Sequence, residues 1–116
     1  MIDFSKVNII LGSGSPRRKH LLEVMEIPHN IIVKPIEESF DQTLKGAAIT
    51  DYLAQCKGSV FQKDLGPKDV VVTADTIVWF KERALGKPID QKNAIEVLKT
   101  LSGQTHQVFT SVCFTT

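Results

Sequence analysis

The order of apolar and polar residues predicts a strand, a loop and a helix at the start of the chain. Residues 7–11 form a short run with strong β-propensity, and Gly12 closes it. Ser15 is a good helix N-cap, and Pro16 suits the first helical position. Three apolar residues then follow at helical spacing: Leu21, Leu22 and Met25. We expect this helix to end at Pro28.

A second strand and a long helix come next. Residues 30–33 are a strand candidate that Pro35 stops, and a polar loop follows. Between about residues 44 and 62, apolar positions recur every three or four residues, which predicts a helix with one buried face. That face would consist of Ile49, Leu53, Cys56 and Val60. Asp51 and Lys57 lie away from its centre.

The second half of the chain begins with a strand that is predicted to end in a carboxylate. Residues 70–74 are apolar without alternation, as expected of a strand covered on both faces, and Asp75 ends this run. Residues 77–80 are again extended. Residues 81–83 predict a tight connection to residues 84–85.

One helix and one strand complete the pattern. Asp90 is predicted to cap the helix and Gly103 to stop it. Its apolar positions are Ala94, Ile95, Leu98 and Leu101. Residues 107–114 form the last strand candidate. Strands alternate with helices without a linker, so we predict a single α/β domain over residues 1–116, with a mixed, partly parallel sheet flanked by helices.

Polar residues follow three of the predicted strands. They are residues 13–18, the pair Glu37 and Glu38, and the pair Asp75 and Thr76. In α/β sheets, ligands bind outside the carboxyl ends of the strands. If the three strands run parallel, these residues share one edge of the sheet.

Composition and charge narrow the choice of partners. The chain has 116 residues, of which 42% are hydrophobic and 23% charged, as is usual for one globular domain. A net charge of +1 gives no broad basic face, so we do not expect a nucleic acid partner. There is no long apolar run and no export signal, so we expect no membrane association and a cytoplasmic location. Cys56 and Cys113 should stay reduced, and the spacing of the three histidines predicts no zinc site.

Two arginines stand where a helix least favours cations. Arg17 and Arg18 fall in the first turn, beside unpaired N–H groups and the positive end of the helix dipole. Guanidinium groups, hydroxyls and free amides at one point favour an anion site, most simply for a phosphate. The alternative is a solvated and slightly unfavourable helix start.

Carboxylates and lysines supply the remaining candidates. Asp75 follows an apolar strand, where it could activate water or bind a divalent ion with Thr76 beside it, or simply cap nearby N–H groups. Glu38 is a candidate ligand for a magnesium-type ion. Lys57 and Lys87 could hold phosphate oxygens, although a snorkelling side chain and a plain surface lysine are the alternatives.

Together these residues favour a polyphosphate site that acts by positioning and charge neutralisation. The sequence contains no P-loop and no G-x-G-x-x-G, so the common NTPase and Rossmann interpretations fail.

Six motifs in matching order resemble the Maf family of nucleoside triphosphate pyrophosphatases. They are residues 13–18 (SGSPRR), 36–38, 53–57, 74–76, 86–88 and 101–106. The resemblance covers nearly the whole chain and is greatest to the branch that acts on dTTP and UTP. It implies a Maf/ITPase-like fold and hydrolysis between the α- and β-phosphates, with a divalent metal cation, Mg²⁺ or Mn²⁺.

The resemblance also implies roles for individual residues. Asp75 would accept the proton, and Glu38 would help with metal or water. Arg17 and Thr76 would influence the choice of base. The phosphates would be surrounded by Ser13, Arg18, Lys57 and Lys87.

Members of this family continue beyond the position of Thr116, so the resemblance implies a C-terminally truncated enzyme. We then expect the last strand to lack neighbours, unless a second copy of the chain covers it in a homodimer or the fold rearranges. Two other functions stay open at this point: a nucleotide-binding fragment without turnover, and a pyrophosphatase of non-canonical purine triphosphates such as ITP.

Overall fold

A five-stranded mixed sheet lies at the centre of the structure, a computed structural model that describes residues 4–116. The elements in chain order are β1 (Asn8–Leu11), α1 (Pro16–Val24), β2 (Asn30–Ile31), α2 (Ala47–Ser59), a short 3₁₀ helix (Gln62–Asp64), β3 (Asp69–Phe80), β4 (Arg83–Leu85), α3 (Gln91–Leu101) and β5 (Gln107–Thr115). Strand β1 pairs in parallel with β2 and β3, whereas β4 and β5 run antiparallel to β3. The predicted class, α/β with a partly parallel sheet, is confirmed.

The strand β3 differs from its prediction, because Asp75 lies within it rather than at its end. The backbone stays extended from Asp69 to Phe80 because β5 pairs with it from Val71 to Trp79. The parallel pairing with β1, however, stops where Leu11 meets Val72. Asp75 therefore lies just beyond the carboxyl end of the parallel part of the sheet.

Helix α2 covers one face of β3 and β5. Its residues Ile49, Leu53 and Ala54 are buried, and the Thr73 hydroxyl of β3 donates to the Ala54 carbonyl at 2.7 Å. The helix is shorter than predicted, since Gly46 with φ of +56° precedes it and Ser59 ends it. Two residues of the predicted buried face are less buried than expected: Cys56, within α2, is half-buried, and Val60, which follows the helix, is 40% exposed.

Local signals in the sequence account for the remaining turns. Asp90 accepts a hydrogen bond from the Asn93 amide at 2.7 Å, and Gly103 adopts φ of +70°, so both predicted boundaries of α3 are confirmed. Lys81 and Glu82 both have positive φ and join β3 to β4 as a two-residue hairpin.

Two other elements are shorter than predicted. Strand β2 is two residues shorter, and α1 ends at Val24, well before Pro28.

The other face of β5 is apolar and open to solvent. Val108, Val112 and Phe114 are each more than half exposed. Among residues 4–116, the strand found beside β5 is β3. In the same described range, no helix has the length and apolar character needed to cross a membrane.

Candidate active site

A cleft of about 580 Å³ opens at the carboxyl ends of β1 and β2. Its wall combines residues 12–16 after β1, residues 33–36 and Glu38 after β2, and side chains from α2, β3 and the loop after β4. Five of its residues carry charged side chains: Arg18, Lys34, Glu38, Lys57 and Lys87. The cleft therefore lies at the sheet edge that the polar positions of the sequence predicted.

The guanidinium of Arg18 has three acceptors, one in the loop after β1 and two on β3. The Ser15 hydroxyl accepts from the Arg18 amide at 3.3 Å and caps α1, as its sequence predicted. The guanidinium folds back over this turn, where Nη1 donates to the Ser13 hydroxyl at 3.3 Å and to the Ala74 carbonyl at 3.2 Å. Its Nη2 donates to the Thr76 hydroxyl at 3.3 Å. Arg18 thus joins the start of α1 to the middle of β3.

Lys57 connects two carboxylates at the inner end of the cleft. Its ammonium donates to Glu38 Oε1 at 2.8 Å, to Asp75 Oδ1 at 2.9 Å and to the Ala74 carbonyl at 3.2 Å. Burial alone would lower the pKa of Lys57, but the hydrogen bonds and charges of Glu38 and Asp75 outweigh it and raise the pKa above its usual value. The hydrogen bond from Lys57 lowers the pKa of Glu38, and the charges of Lys87 and Arg18 add to this effect.

Asp75 is the buried acid of the site, with 6% of its surface exposed. One carboxylate oxygen binds Lys57, whereas Oδ2 is buried and has no hydrogen-bond partner among the described residues. A buried carboxylate oxygen without a donor is costly and is uncommon in a purely structural role. Asp75 is not itself among the described residues that line the cleft, but its partners Lys57 and Ala74 are, so it lies directly behind the cleft wall.

The other candidates are arranged unequally. Lys87 lies on the cleft wall. Thr76 accepts a hydrogen bond from the cleft residue Arg18 and forms a 2.9 Å hydrogen bond with Thr110. Arg17 is exposed and is not among the described residues that line the cleft. Consecutive helical residues point about 100° apart, which accounts for the different exposure of the two arginines.

Lys34 is a cleft residue that the sequence interpretation missed. It forms an ion pair with Asp64 and lies 5.0 Å from the centre of the Phe61 ring. These contacts fix the segment after β2 to the turn that follows α2. The signal in the sequence was a lysine just after a predicted strand and before Pro35, which restricts the backbone to extended conformations.

The carboxylates fit a divalent ion only in part. Within residues 4–116 no group of three or more His, Cys, Asp or Glu side chains converges. Glu38 and Asp75 nevertheless share one ammonium, and Asp75 Oδ2 lacks a donor. Mg²⁺ commonly takes one or two carboxylates and completes its shell with water and substrate phosphates. Of the two carboxylates, Glu38 lines the cleft and could bind an ion that arrives with a phosphate ligand, whereas Asp75 is not among the described residues that line it.

Comparisons with known proteins show what this sequence is similar to. A family model described as Maf-like protein matches residues 8–116. The dTTP/UTP pyrophosphatase of Flavobacterium psychrophilum is 48% identical over 113 residues, which cover 97% of this chain and 58% of that protein. The dTTP/UTP pyrophosphatase of Christiangramia forsetii is 48% identical over 107 residues, which cover 92% of this chain and 55% of that protein. The chain thus spans less than two thirds of the length of these relatives.

A solved structure shows the same fold at low sequence identity. The structure of the Staphylococcus aureus Ham1 protein superimposes with a TM-score of 0.53 and 13% identity, and the match covers 92% of this chain and 70% of that one.

Proposed function

The chain belongs to the Maf-like protein family, and from this membership and the cleft we propose that it hydrolyses dTTP and UTP to the nucleoside monophosphate and pyrophosphate. The names of the two relatives supply the substrates in this proposal. The chain spans only 58% and 55% of the lengths of these relatives. The proposal therefore also has to rest on residues that this chain itself contains.

One observation carries the proposal: a buried carboxylate, that of Asp75, contacts one of the cations that line the cleft, Lys57. Lys57 binds Asp75 and Glu38, and Arg18 reaches the same carbonyl, that of Ala74. A triphosphate needs cations along its oxygens, and its hydrolysis needs an acceptor for a proton of the attacking water. The cations of the cleft wall and the neighbouring Asp75 support both parts of this proposal.

In the proposed reaction, Asp75 takes a proton from water while the water oxygen bonds to phosphorus. The phosphorus attacked, α or β, loses its bond to the bridging oxygen between them, and the products are the monophosphate and pyrophosphate. Arg18, Lys57 and Lys87 would offset the charge of the phosphate oxygens, and the Ser13 hydroxyl would contribute a further hydrogen bond. Positioning and charge neutralisation, rather than covalent catalysis, would supply the rate enhancement.

The roles of the remaining candidates rest on the family resemblance. Arg17 and Thr76 would influence the choice of base. Glu38 would help to hold a divalent cation, Mg²⁺ or Mn²⁺, or a water molecule. When bound, such an ion would offset negative charge on the phosphates.

A panel of nucleoside triphosphates tests the proposal. The chain is incubated with dTTP, UTP, 7-methyl-GTP and ITP in the presence of Mg²⁺ or Mn²⁺, and pyrophosphate release is measured. Release from dTTP and UTP in preference to the others supports the proposed function. Binding of dTTP without release indicates a nucleotide-binding module, and preference for ITP indicates a pyrophosphatase of non-canonical purines.

A further inference from the structure

Strand β5 is connected to the cleft through a hydrogen bond between two threonines. Thr76 of β3 and Thr110 of β5 lie directly opposite each other in the antiparallel pair, and their hydroxyls are 2.9 Å apart. Thr110 is not among the described residues that line the cleft, whereas Arg18, which donates to the Thr76 hydroxyl, lines it. Two successive hydrogen bonds therefore connect β5 to a cation of the cleft wall.

The direction of these hydrogen bonds follows from the chemistry of the groups. A guanidinium has five N–H donors and no acceptor, so Thr76 must turn a lone pair toward Arg18. The single proton of the Thr76 hydroxyl is then left for another acceptor, and the Thr110 hydroxyl lies within hydrogen-bond distance. Thr110 thus holds the Thr76 hydroxyl in the orientation that accepts from Arg18.

This orientation affects one nitrogen of the guanidinium in particular. Nη1 of Arg18 donates to two acceptors, the Ser13 hydroxyl and the Ala74 carbonyl. Nη2 donates to Thr76, its one acceptor among the described residues. The two N–H groups that remain belong to Nε and Nη2, and they are the donors that a phosphate in the cleft would use. Thr76 therefore fixes a nitrogen that would also bind the phosphate.

We propose that Thr110 is a positioning residue for the phosphate site: through Thr76 it fixes the Arg18 guanidinium so that two N–H groups are presented to the nucleotide. The inference rests on the proposed function, in which Arg18 binds a phosphate. Thr110 itself does not contact the nucleotide. Its effect is on affinity, because a binding group whose orientation is fixed in advance loses less conformational freedom when the ligand arrives.

The position of Thr110 is determined by its neighbours on β5. Successive side chains of a strand point to opposite faces, and Ser111 points to α2, where its hydroxyl donates to Asp51. Thr110 consequently points to the face away from α2, which it shares with Val108 and Val112. Both valines are more than half exposed, so this face also has room for a valine at position 110.

Three variants test the role of the Thr110 hydroxyl. Thr110→Val removes it and keeps the size, the β-branch and the strand preference of the side chain. Thr110→Ser restores a hydroxyl and should restore the behaviour of the wild type. Thr115→Val is the matched control, because it removes a hydroxyl from the same strand that lies 3.9 Å from Cys113 Sγ and has no printed contact with Thr76 or Arg18.

Calorimetry measures the affinity of the whole chain for inorganic triphosphate in the absence of divalent metal. We expect Thr110→Val to weaken binding by about three- to tenfold, the range that one hydrogen bond accounts for, and the other two variants to bind like the wild type. In the background of Arg18→Ala, Thr110→Val should have no further effect, because the hydroxyl acts through this arginine. Equal weakening in both backgrounds, or no weakening in the wild-type background, would overturn the inference.

Nuclear magnetic resonance of the free chain separates this inference from the proposed function. The side-chain N–H signals of Arg18 report how fast its guanidinium rotates. This rotation should be severalfold faster in Thr110→Val and unchanged in Thr110→Ser and Thr115→Val. Equal rotation rates in the wild type and Thr110→Val would contradict the positioning role. Failure of the wild type to bind triphosphate would instead count against the proposed function, and the rotation rates would then decide the role of Thr110 by themselves.

Discussion

Arg18 and Lys57 donate to the same backbone oxygen, the carbonyl of Ala74, each at a distance of 3.2 Å. One comes from the first turn of α1 and the other from the last turn of α2, so the middle of β3 fixes two cations that are distant in sequence. Their repulsion is offset by Asp75 and Glu38, which accept from Lys57. Because the shared acceptor is a main-chain atom, no substitution at Ala74 removes it.

Asp75→Asn should abolish hydrolysis and spare nucleotide binding. The asparagine oxygen can still accept the hydrogen bond from Lys57, so the substitution removes mainly the capacity to take a proton. Loss of a general base lowers the rate by about 10²- to 10⁴-fold. Pyrophosphate release gives the rate, and calorimetry with α,β-methylene-UTP gives the dissociation constant.

Asp51→Asn is the matched control for this change. Asp51 is an exposed carboxylate on α2 that accepts from the Ser111 hydroxyl and does not line the cleft. Its substitution should leave pyrophosphate release within a few-fold of the wild type. A similar loss of rate in both variants, or full activity of Asp75→Asn, would contradict the assigned role of Asp75.

Arg18→Ala should raise the Michaelis constant far more than Arg17→Ala. Arg18 lines the cleft and is held by three acceptors, whereas Arg17 is exposed. A hydrogen bond to a charged group contributes about 1.5–3 kcal/mol, which corresponds to roughly a tenfold to hundredfold change in affinity. Steady-state kinetics with UTP measure both variants, and equal effects would show that position on α1 does not separate the two arginines.

The sequence predicted the elements whose signals are local. The Ser15 cap, the Asp90 cap and Gly103 lie within a few residues of the helices that they bound, so the adjacent chain determines them. The placement of Asp75 was wrong because the continuity of β3 depends on pairing with β5, which is distant in sequence. A carboxylate after an apolar run resembles a strand end until its partner strand is known.

The candidate site was predictable to a similar extent. Arg18, Glu38, Lys57 and Lys87 line one cleft, in agreement with the polar positions that follow the strands. The sequence could not separate Arg17 from Arg18, since that depends on the rotation of α1 about its axis. The position of Lys34 in the cleft could not be predicted, because its partner Asp64 is distant in sequence and comes near it only in the folded chain.

Removal of the Glu38 charge should reduce stability in a pH-dependent way. Lys57 lowers the pKa of Glu38 in the folded state, so this carboxylate stabilises the fold above its usual pKa of 4.5 and loses that effect as the pH falls through the lowered value. Thermal melts of the wild type and Glu38→Gln should therefore differ at neutral pH and converge in acid. The difference should be only a few degrees, because the Glu38 side chain is 48% exposed and solvent screens the pair.

Lys57, which pairs with Glu38, titrates at the alkaline end of the pH range. The pKa of Lys57 is raised above its usual 10.5, so its contribution persists below that pH and disappears as the pH rises through the raised value. The difference in melting temperature between the wild type and Lys57→Met should therefore shrink in strong alkali. A difference that stays constant from acid to alkali in both variants would show that the ion pairs do not carry it.

Gly12→Ala should destabilise the fold at the base of the cleft. A Cβ at this position would lie 2.9 Å from Thr73 Cγ2 and 3.0 Å from the Phe61 ring. Neither neighbour can move aside easily. The Thr73 side chain is fully buried and its hydroxyl donates a hydrogen bond to the Ala54 carbonyl. Phe61 packs in the core with Ile10 and Val71. Such overpacking costs about 1–3 kcal/mol in the free energy of unfolding.

Gly14→Ala in the same loop is the control, because its Cβ would meet only Val33, at an ordinary 3.7 Å. Urea denaturation of both variants measures the difference, and an unfolding midpoint for Gly12→Ala at or above that of Gly14→Ala would show that β1, β3 and the turn after α2 are packed less closely than the structure has them.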